Sequence, residues 1–397
     1  MSVKWKNAIE QRQQELKQAS LWRSRKSLQS PQQAQVLIDD NKLVNFSSND
    51  YLGLANSETL KKLASNEVLK WGVGSGASHL VCGHQSPHHE LEKSLAQFVG
   101  AERALLFSTG YMANIAVASA FTDKADLTLQ DKLNHASLID GAKLSAAQFK
   151  RYSHNNIEHA QSILRNAEFE KAMIMTDGVF SMDGDIASLK ELKSLADDHD
   201  ALLLVDDAHG FACIGNTGKG ALELSNLTPT ANVLLMATLG KAVGSFGAFV
   251  AGDAVYIEQL IQSARSYIYT TALPPAVAAT SGASLKLISE NGRALRQLLN
   301  DNIAQFKNGV NQIGLELLPS DSAVQPLVLK DEQLTLDFSQ RLQDLGFLVS
   351  AIRPPTVPKG SARLRFTFSA AHKPKDIDDL LVAINRVAKS LGVLHDN

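Results

Sequence analysis

Five short apolar runs dominate the middle of the chain: LTLQD (127–131), AMIMTDG (172–178), ALLLVDDAHG (201–210), VLLMATLG (233–240) and GAFVAG (247–252). Helix-like segments such as HASLIDGAKLSA (135–146) and ASLKELKSLADDHD (187–200) separate them. The runs are too short for helices and, LTLQD apart, do not alternate apolar with polar, so both of their faces must be covered. A mostly parallel sheet with helices on each side satisfies this, and α/β is the expected class. The stretch ALLFSTGYMANIAVASAF (104–121) adds a strand, a Ser-Thr-Gly turn and a helix, a geometry that aims backbone N–H groups at an anion.

The flanks read differently. Lys6 to about Arg25 carries sparse apolar residues at helical spacing and is expected to form a protruding amphipathic arm, with Arg23 and Arg25 closing it as surface charges. NFSSNDYLGL (45–54) looks like a shaped loop, with Ser57 as the N-cap of a helix running toward Trp71. After Leu273-Pro274-Pro275 the pattern is helical to about Val310. Strand-like LELLPS, VQPLVLK and LRFTFS follow, then a closing helix near Pro374 to Leu391. Three units are therefore expected: an N-terminal arm and segment (1–50), a large domain (51–285) and a smaller α+β C-terminal domain (286–397).

Composition excludes several functions. A net charge of −2 gives no electrostatic reason to bind nucleic acid. No apolar run approaches a membrane span, and the polar N-terminus lacks the core of a signal peptide. Cys82 and Cys213 stand alone, so neither a disulfide framework nor a cysteine zinc site is expected, and no metal ligand set is assigned. A cytoplasmic enzyme for small molecules is the expectation. Gly72, Gly74 and Gly76 lack the strand and the GK[ST] ending of a nucleotide loop.

Ionisable residues cluster where the strands are expected to end. Lys241 follows VLLMATLG directly, where open α/β sheets place ligands. Desolvation there would make it a nucleophilic amine, and a solvated lysine beside a glycine turn is the other reading. Asp206 ends ALLLV with His209 three residues on. Asp206 either pairs with a cationic ring nitrogen or caps the next helix, and His209 either faces the same ligand or is a satisfied buried histidine. Read alone, His135 in LNHAS is cap-region chemistry and Ser181 is turn chemistry. Taken in order, a glycine turn, a histidine, a serine, Asp-x-x-His and Thr-x-x-Lys supply what a pyridoxal phosphate site requires.

Those motifs, with NFSSNDYLGLA, TDGVFSMDGD, VDDAHG, TLGKAVG and IRPPTVPKGSARLRFTFSAAH, resemble the α-oxoamine synthases, fold-type I pyridoxal-phosphate enzymes, over nearly the whole chain. The resemblance implies a seven-stranded-type sheet in the large domain and pyridoxal 5'-phosphate as cofactor. It implies that Lys241 is the Schiff-base lysine and general base, that Asp206 holds the pyridine nitrogen, that His135 stacks on the ring and that His209 bonds the phenolic oxygen. Gly110, Tyr111 and Thr238 would approach the phosphate or ring, with Ser181 supporting the pocket. Thr270 and Thr271 would reach the phosphate across a homodimer interface. Arg365 would hold the amino-acid carboxylate, and Arg23 and Thr356 match substrate-binding positions. Small residues after the lysine, Ala242, Gly244, Ser245 and Gly247, would let the backbone pass beneath the cofactor. The implied reaction is decarboxylative condensation of L-alanine with a pimeloyl thioester carried on acyl carrier protein or coenzyme A. Glycine C-acetyltransferases share most of these motifs but tend to lack the paired prolines of IRPPTVPKG and usually carry arginine in place of His79. No role attaches to His79 or His84. Relatives that lost the lysine act as non-catalytic subunits, whereas Lys241, Asp206 and His209 are all retained here.

Overall fold

The computed structural model describes residues 3–394. Two short strands come first, β1 (Gln35–Ile38) and β2 (Asn41–Asn45). Seven follow: β3 (Arg103–Phe107), β4 (Leu127–Asp131), β5 (Gln148–Tyr152), β6 (Ala172–Asp177), β7 (Leu202–Asp206), β8 (Val233–Thr238) and β9 (Ala248–Gly252). These seven form one sheet in the order β3-β9-β8-β7-β6-β4-β5. The pairs from β5 through β8 are parallel, and only β9 runs against its neighbours β8 and β3.

Side-chain alternation divides the apolar runs between two cores, one on each face of this sheet. On β8, Val233, Leu235 and Ala237 enter one core while Leu234 and Met236 enter the other. On β6, Ile174 joins the first and Met173 and Met175 the second. Continuous apolar sequence is thus the direct consequence of two buried faces. Truncating Leu235 to alanine is expected to cost about 2–5 kcal/mol.

The C-terminal region holds β10 (Val324–Lys330), β11 (Phe347–Leu348), β12 (Ser350–Ile352) and β13 (Ala362–Thr367). An antiparallel sheet β10-β13-β12 forms there, while β11 pairs in parallel with β2. The early segment is therefore stitched into the late one. Thr367 N–H donates to the Phe46 carbonyl at 2.9 Å, and Ala370 N–H to that of Tyr51 at 2.8 Å. The helix Pro275–Ile313 runs unbroken through residue 285. No helix of the described residues is long and apolar enough to cross a membrane.

Three expectations are corrected. The N-terminal helix spans Val3–Gln18 and buries none of its residues, and Arg23 and Arg25 lie beyond it. Ser20 takes a left-handed φ of 54°, and its carbonyl accepts from Arg353, so tertiary contact ends the helix early. LELLPS forms no strand: it follows the left-handed Gly314, and a single backbone bond, Leu318 N–H to Pro326 O, ties it to β10. The third concerns Gly244, with φ of 68°, where an added Cβ would lie 2.5 Å from Ala55 N and 2.6 Å from Leu54 C. That glycine is needed by the chain's own backbone at 54–55.

Candidate active site

The carboxyl ends of β3, β4, β6, β7 and β8 converge on one cavity of about 200 Å³. β3 leads to the helix Gly110–Phe121, whose N-cap Thr109 accepts at Oγ1 from the Met112 N–H. A Cβ on Gly110 would sit 2.8 Å from Thr238 Cγ2 at the end of β8, so only glycine lets these ends close up. The Thr238 hydroxyl is buried with no hydrogen-bond partner among the described residues. A helix N-terminus beside an unpartnered buried hydroxyl fits an anionic group. Tyr111, more exposed, bonds Asp140 and meets the His135 ring edge-on at 6.4 Å.

Asp206 terminates β7 and is 5% exposed. Its Oδ2 accepts from Asn114 Nδ2 at 2.6 Å and its Oδ1 from the Ala208 N–H at 3.1 Å. Both donors are neutral, and among the described residues no cationic side chain forms an ion pair with this buried carboxylate, which suits it to a protonated ring nitrogen. One strand over, Asp177 is also buried, and burial together with Asp206 holds its carboxyl well above the ordinary range. It accepts the His135 backbone N–H at 3.1 Å, which sets the start of the helix Ala136–Leu144. His135 caps that helix, with Nδ1 2.7 Å from Ser137 Oγ, and burial keeps its imidazole below its ordinary pKa.

Lys241 lies three residues past β8. Burial pulls its pKa down to about 8, against the attraction of Asp206. An amine in this range is a nucleophile and a general base near neutral pH. His209 Nδ1 lies 2.6 Å from the Tyr51 hydroxyl, and burial holds the imidazole neutral. Burial also pushes Tyr51 up to about 12, so the phenol stays protonated. From β13, Arg365 reaches across: Nε donates to the Ser181 carbonyl at 2.6 Å, and its terminal nitrogens lie 3.3 and 3.4 Å from Asn49 Oδ1.

Gly110, Tyr111, His135, Ser181, Asp206, His209, Thr238 and Lys241 thus line one cavity. Arg365 adjoins it through Ser181. Arg23 and Thr356 lie elsewhere, hydrogen-bonded to each other at 3.2 Å in a separate cavity of about 530 Å³. Thr270 and Thr271 line neither; Thr271 bridges to Ser78, and Ala272 N–H donates to Ala77 O at 3.0 Å. A larger cavity of about 770 Å³ beside the helix Glu58–Trp71 contains none of these groups. Sequence reasoning missed Asp177, Asn114, Tyr51 and Asn49. Asp177 carried the same strand-end signal as Asp206. The others act through partners far away in the chain.

Residues 41–384 match the family described as aminotransferase class I and II. The chain is 48% identical over 373 residues to the 8-amino-7-oxononanoate synthase of Saccharophagus degradans, covering 94% of each. It is 50% identical over 370 residues to the enzyme of that name from Methylococcus capsulatus, covering 93% of this chain and 95% of that one. Among solved structures it is similar to a serine palmitoyltransferase from S. paucimobilis with a bound PLP–myriocin adduct. That match has a TM-score of 0.93 at 28% identity and covers 99% of this chain and 100% of the other.

Proposed function

The chain belongs to the aminotransferase class I and II family, on the branch of the 8-amino-7-oxononanoate synthases, and from that premise we propose the reaction and the residue roles that follow. The protein uses pyridoxal 5'-phosphate to condense L-alanine with a pimeloyl thioester, releasing CO2, the free thiol and 8-amino-7-oxononanoate for biotin biosynthesis. The observation that carries this is one cavity in which a desolvated lysine amine, a buried aspartate and a helix N-terminus face one another.

The Thr238 hydroxyl, the Asp206 carboxylate and the His209 imidazole suit the cofactor's three polar parts. Gly110, Tyr111 and Thr238 would receive its phosphate end, Asp206 its ring nitrogen and His209 its phenolic oxygen, with His135 against the ring and Ser181 supporting the wall. Bound there, the cofactor would accept the electron pair released when a bond to the amino acid's α-carbon breaks. Lys241 would hold it covalently, and its amine, once released, would take the α-proton. Asp206, kept in place by Asn114 and the Ala208 N–H, would keep the ring nitrogen protonated. Arg365 is the residue for the amino acid's carboxylate, because its planar fork can hold two oxygens at once. Arg23 and Thr356 would bind the acyl thioester in their own cavity.

A homodimer is part of this reading. Val73, Leu80, Val81 and Tyr269 are large apolar side chains left exposed, and the Ser78–Thr271 bridge joins the segments that carry them. A second copy covering them would bring Thr270 and Thr271 to its neighbour's phosphate site. The cytoplasm is the proposed compartment. Purified protein supplied with cofactor, L-alanine and pimeloyl thioesters on coenzyme A or carrier protein is expected to form the amino-ketone and CO2. Faster turnover of glycine with acetyl-CoA would assign it to the glycine acetyltransferases instead.

A further inference from the structure

Four of the eleven histidines lie between residues 79 and 89, and the reaction uses none of them. The short π-helix His79–Gly83 brings them to the start of the helix Ser86–Val99. His88 is spent on structure: its Nδ1 accepts from the Gln85 N–H at 3.0 Å and its Nε2 faces the Leu273 carbonyl at 2.7 Å. His79 stacks on Tyr267 with centroids 4.9 Å apart, and its Nδ1 lies 2.9 Å from that of His84.

A second set is left over. One ligating atom from each of His84, His89 and Glu92 lies within 4.8 Å of the other two. His89 and Glu92 stand about one turn apart on the helix, and His84 comes from the turn ahead of it. Among the described residues, no protein donor or acceptor engages the second ring nitrogen of His84, the His89 ring or the second oxygen of Glu92. The first Glu92 oxygen accepts the Leu106 N–H at 3.0 Å.

We propose that His84, His89 and Glu92 bind a divalent transition-metal ion of the Zn2+ type, with water completing its coordination. Two imidazoles and a carboxylate, without thiolate, are ligands that zinc accepts in three-residue sites. The hydrogen bond between His84 Nδ1 and His79 fixes the orientation of the His84 ring. A cavity of about 530 Å³ lined by His89 and Glu92 gives the ion a way in. Arg103 lines it too, but is held by Glu258 at 3.0 Å.

The site is independent of the proposed reaction, and the test reads metal alone. Untagged, cofactor-loaded protein is stripped with a chelator, equilibrated with Zn2+ by dialysis and assayed for bound metal. About one ion per chain is expected, and H89Q and E92Q are each expected to weaken binding by at least the ~10–100-fold typical of losing a supporting contact. H159Q, at an exposed histidine elsewhere, is expected to bind like the wild type. Equal binding by the wild type and both ligand variants overturns the proposal, as does no stoichiometric zinc. Cobalt substitution of the wild type needs no variant: low-symmetry visible bands are expected, and the spectrum of hydrated Co2+ alone overturns the proposal.

Discussion

Lys241 and Gly110 carry the sharpest consequences of single atoms. An amine with a pKa of about 8 is mostly protonated at pH 6 and mostly neutral at pH 9. Capture of pyridoxal phosphate by the apoprotein is therefore expected to accelerate through pH 8 and level off above it, measured by stopped-flow absorbance. An ordinary lysine would still be gaining rate near pH 10. Gly110→Ala forces a Cβ to within 2.8 Å of Thr238 Cγ2. Overpacking of this kind costs about 1–3 kcal/mol, so equilibrium dialysis should show cofactor affinity falling by about tenfold or more. Arg365→Lys keeps the charge but loses the fork; KM for L-alanine is expected to rise about tenfold or more while the visible cofactor band stays. Loss of that band would remove Arg365 from the amino-acid site. Lys241 and Asp206 were legible because each directly follows an apolar run. Asn49 and Tyr51 were not, since what they touch, Arg365 and His209, lies 316 and 158 residues away.

At the scale of elements, the loop after β6 connects the two sides of the site. His154, past β5, places Nδ1 3.0 Å from Asp131 and Nε2 2.9 Å from Asp185. Beyond it, Asn155 Nδ2 donates to the Ile186 carbonyl at 3.0 Å. On the opposite side, Ser320 Oγ donates to the Gly184 carbonyl at 2.9 Å, Arg363 pairs with Asp183, and Arg365 bonds Ser181. Burial alone would lower the His154 pKa, but its bonds to Asp131 and Asp185 prevail and raise it to about 10. A raised folded-state pKa contributes stability that is fully present below the unfolded value near 6.5 and is lost as pH rises through 10. The thermal stability of the wild type is thus expected to fall between about pH 6.5 and 10 more than that of His154→Gln. Parallel curves for the two would show that the ion pairs carry no stability. The buried strands were readable from their apolar runs. The edge strand β5, QFKRY, has no such run and buries only Tyr152 fully, so its sequence gave no strand signal.

Across the whole molecule, the sheet order places every strand-end group on one edge of β3 through β8, and the family resemblance supplied the residues that the pattern alone left open. The reach proposed for Thr270 and Thr271 comes from the family resemblance alone, because its target would lie on a second copy. Light scattering is expected to give about twice the 42.9 kDa chain mass, and charged substitutions at Val81 and Tyr269 should shift the protein toward monomer with loss of cofactor. Everything rests on the lysine beyond β8. Borohydride reduction of the cofactor-loaded protein, followed by peptide mass mapping, tests it most directly. A pyridoxyl mass on the peptide bearing Lys241, absent from Lys241→Ala, is expected; a label on another lysine, or no label at all, would contradict it.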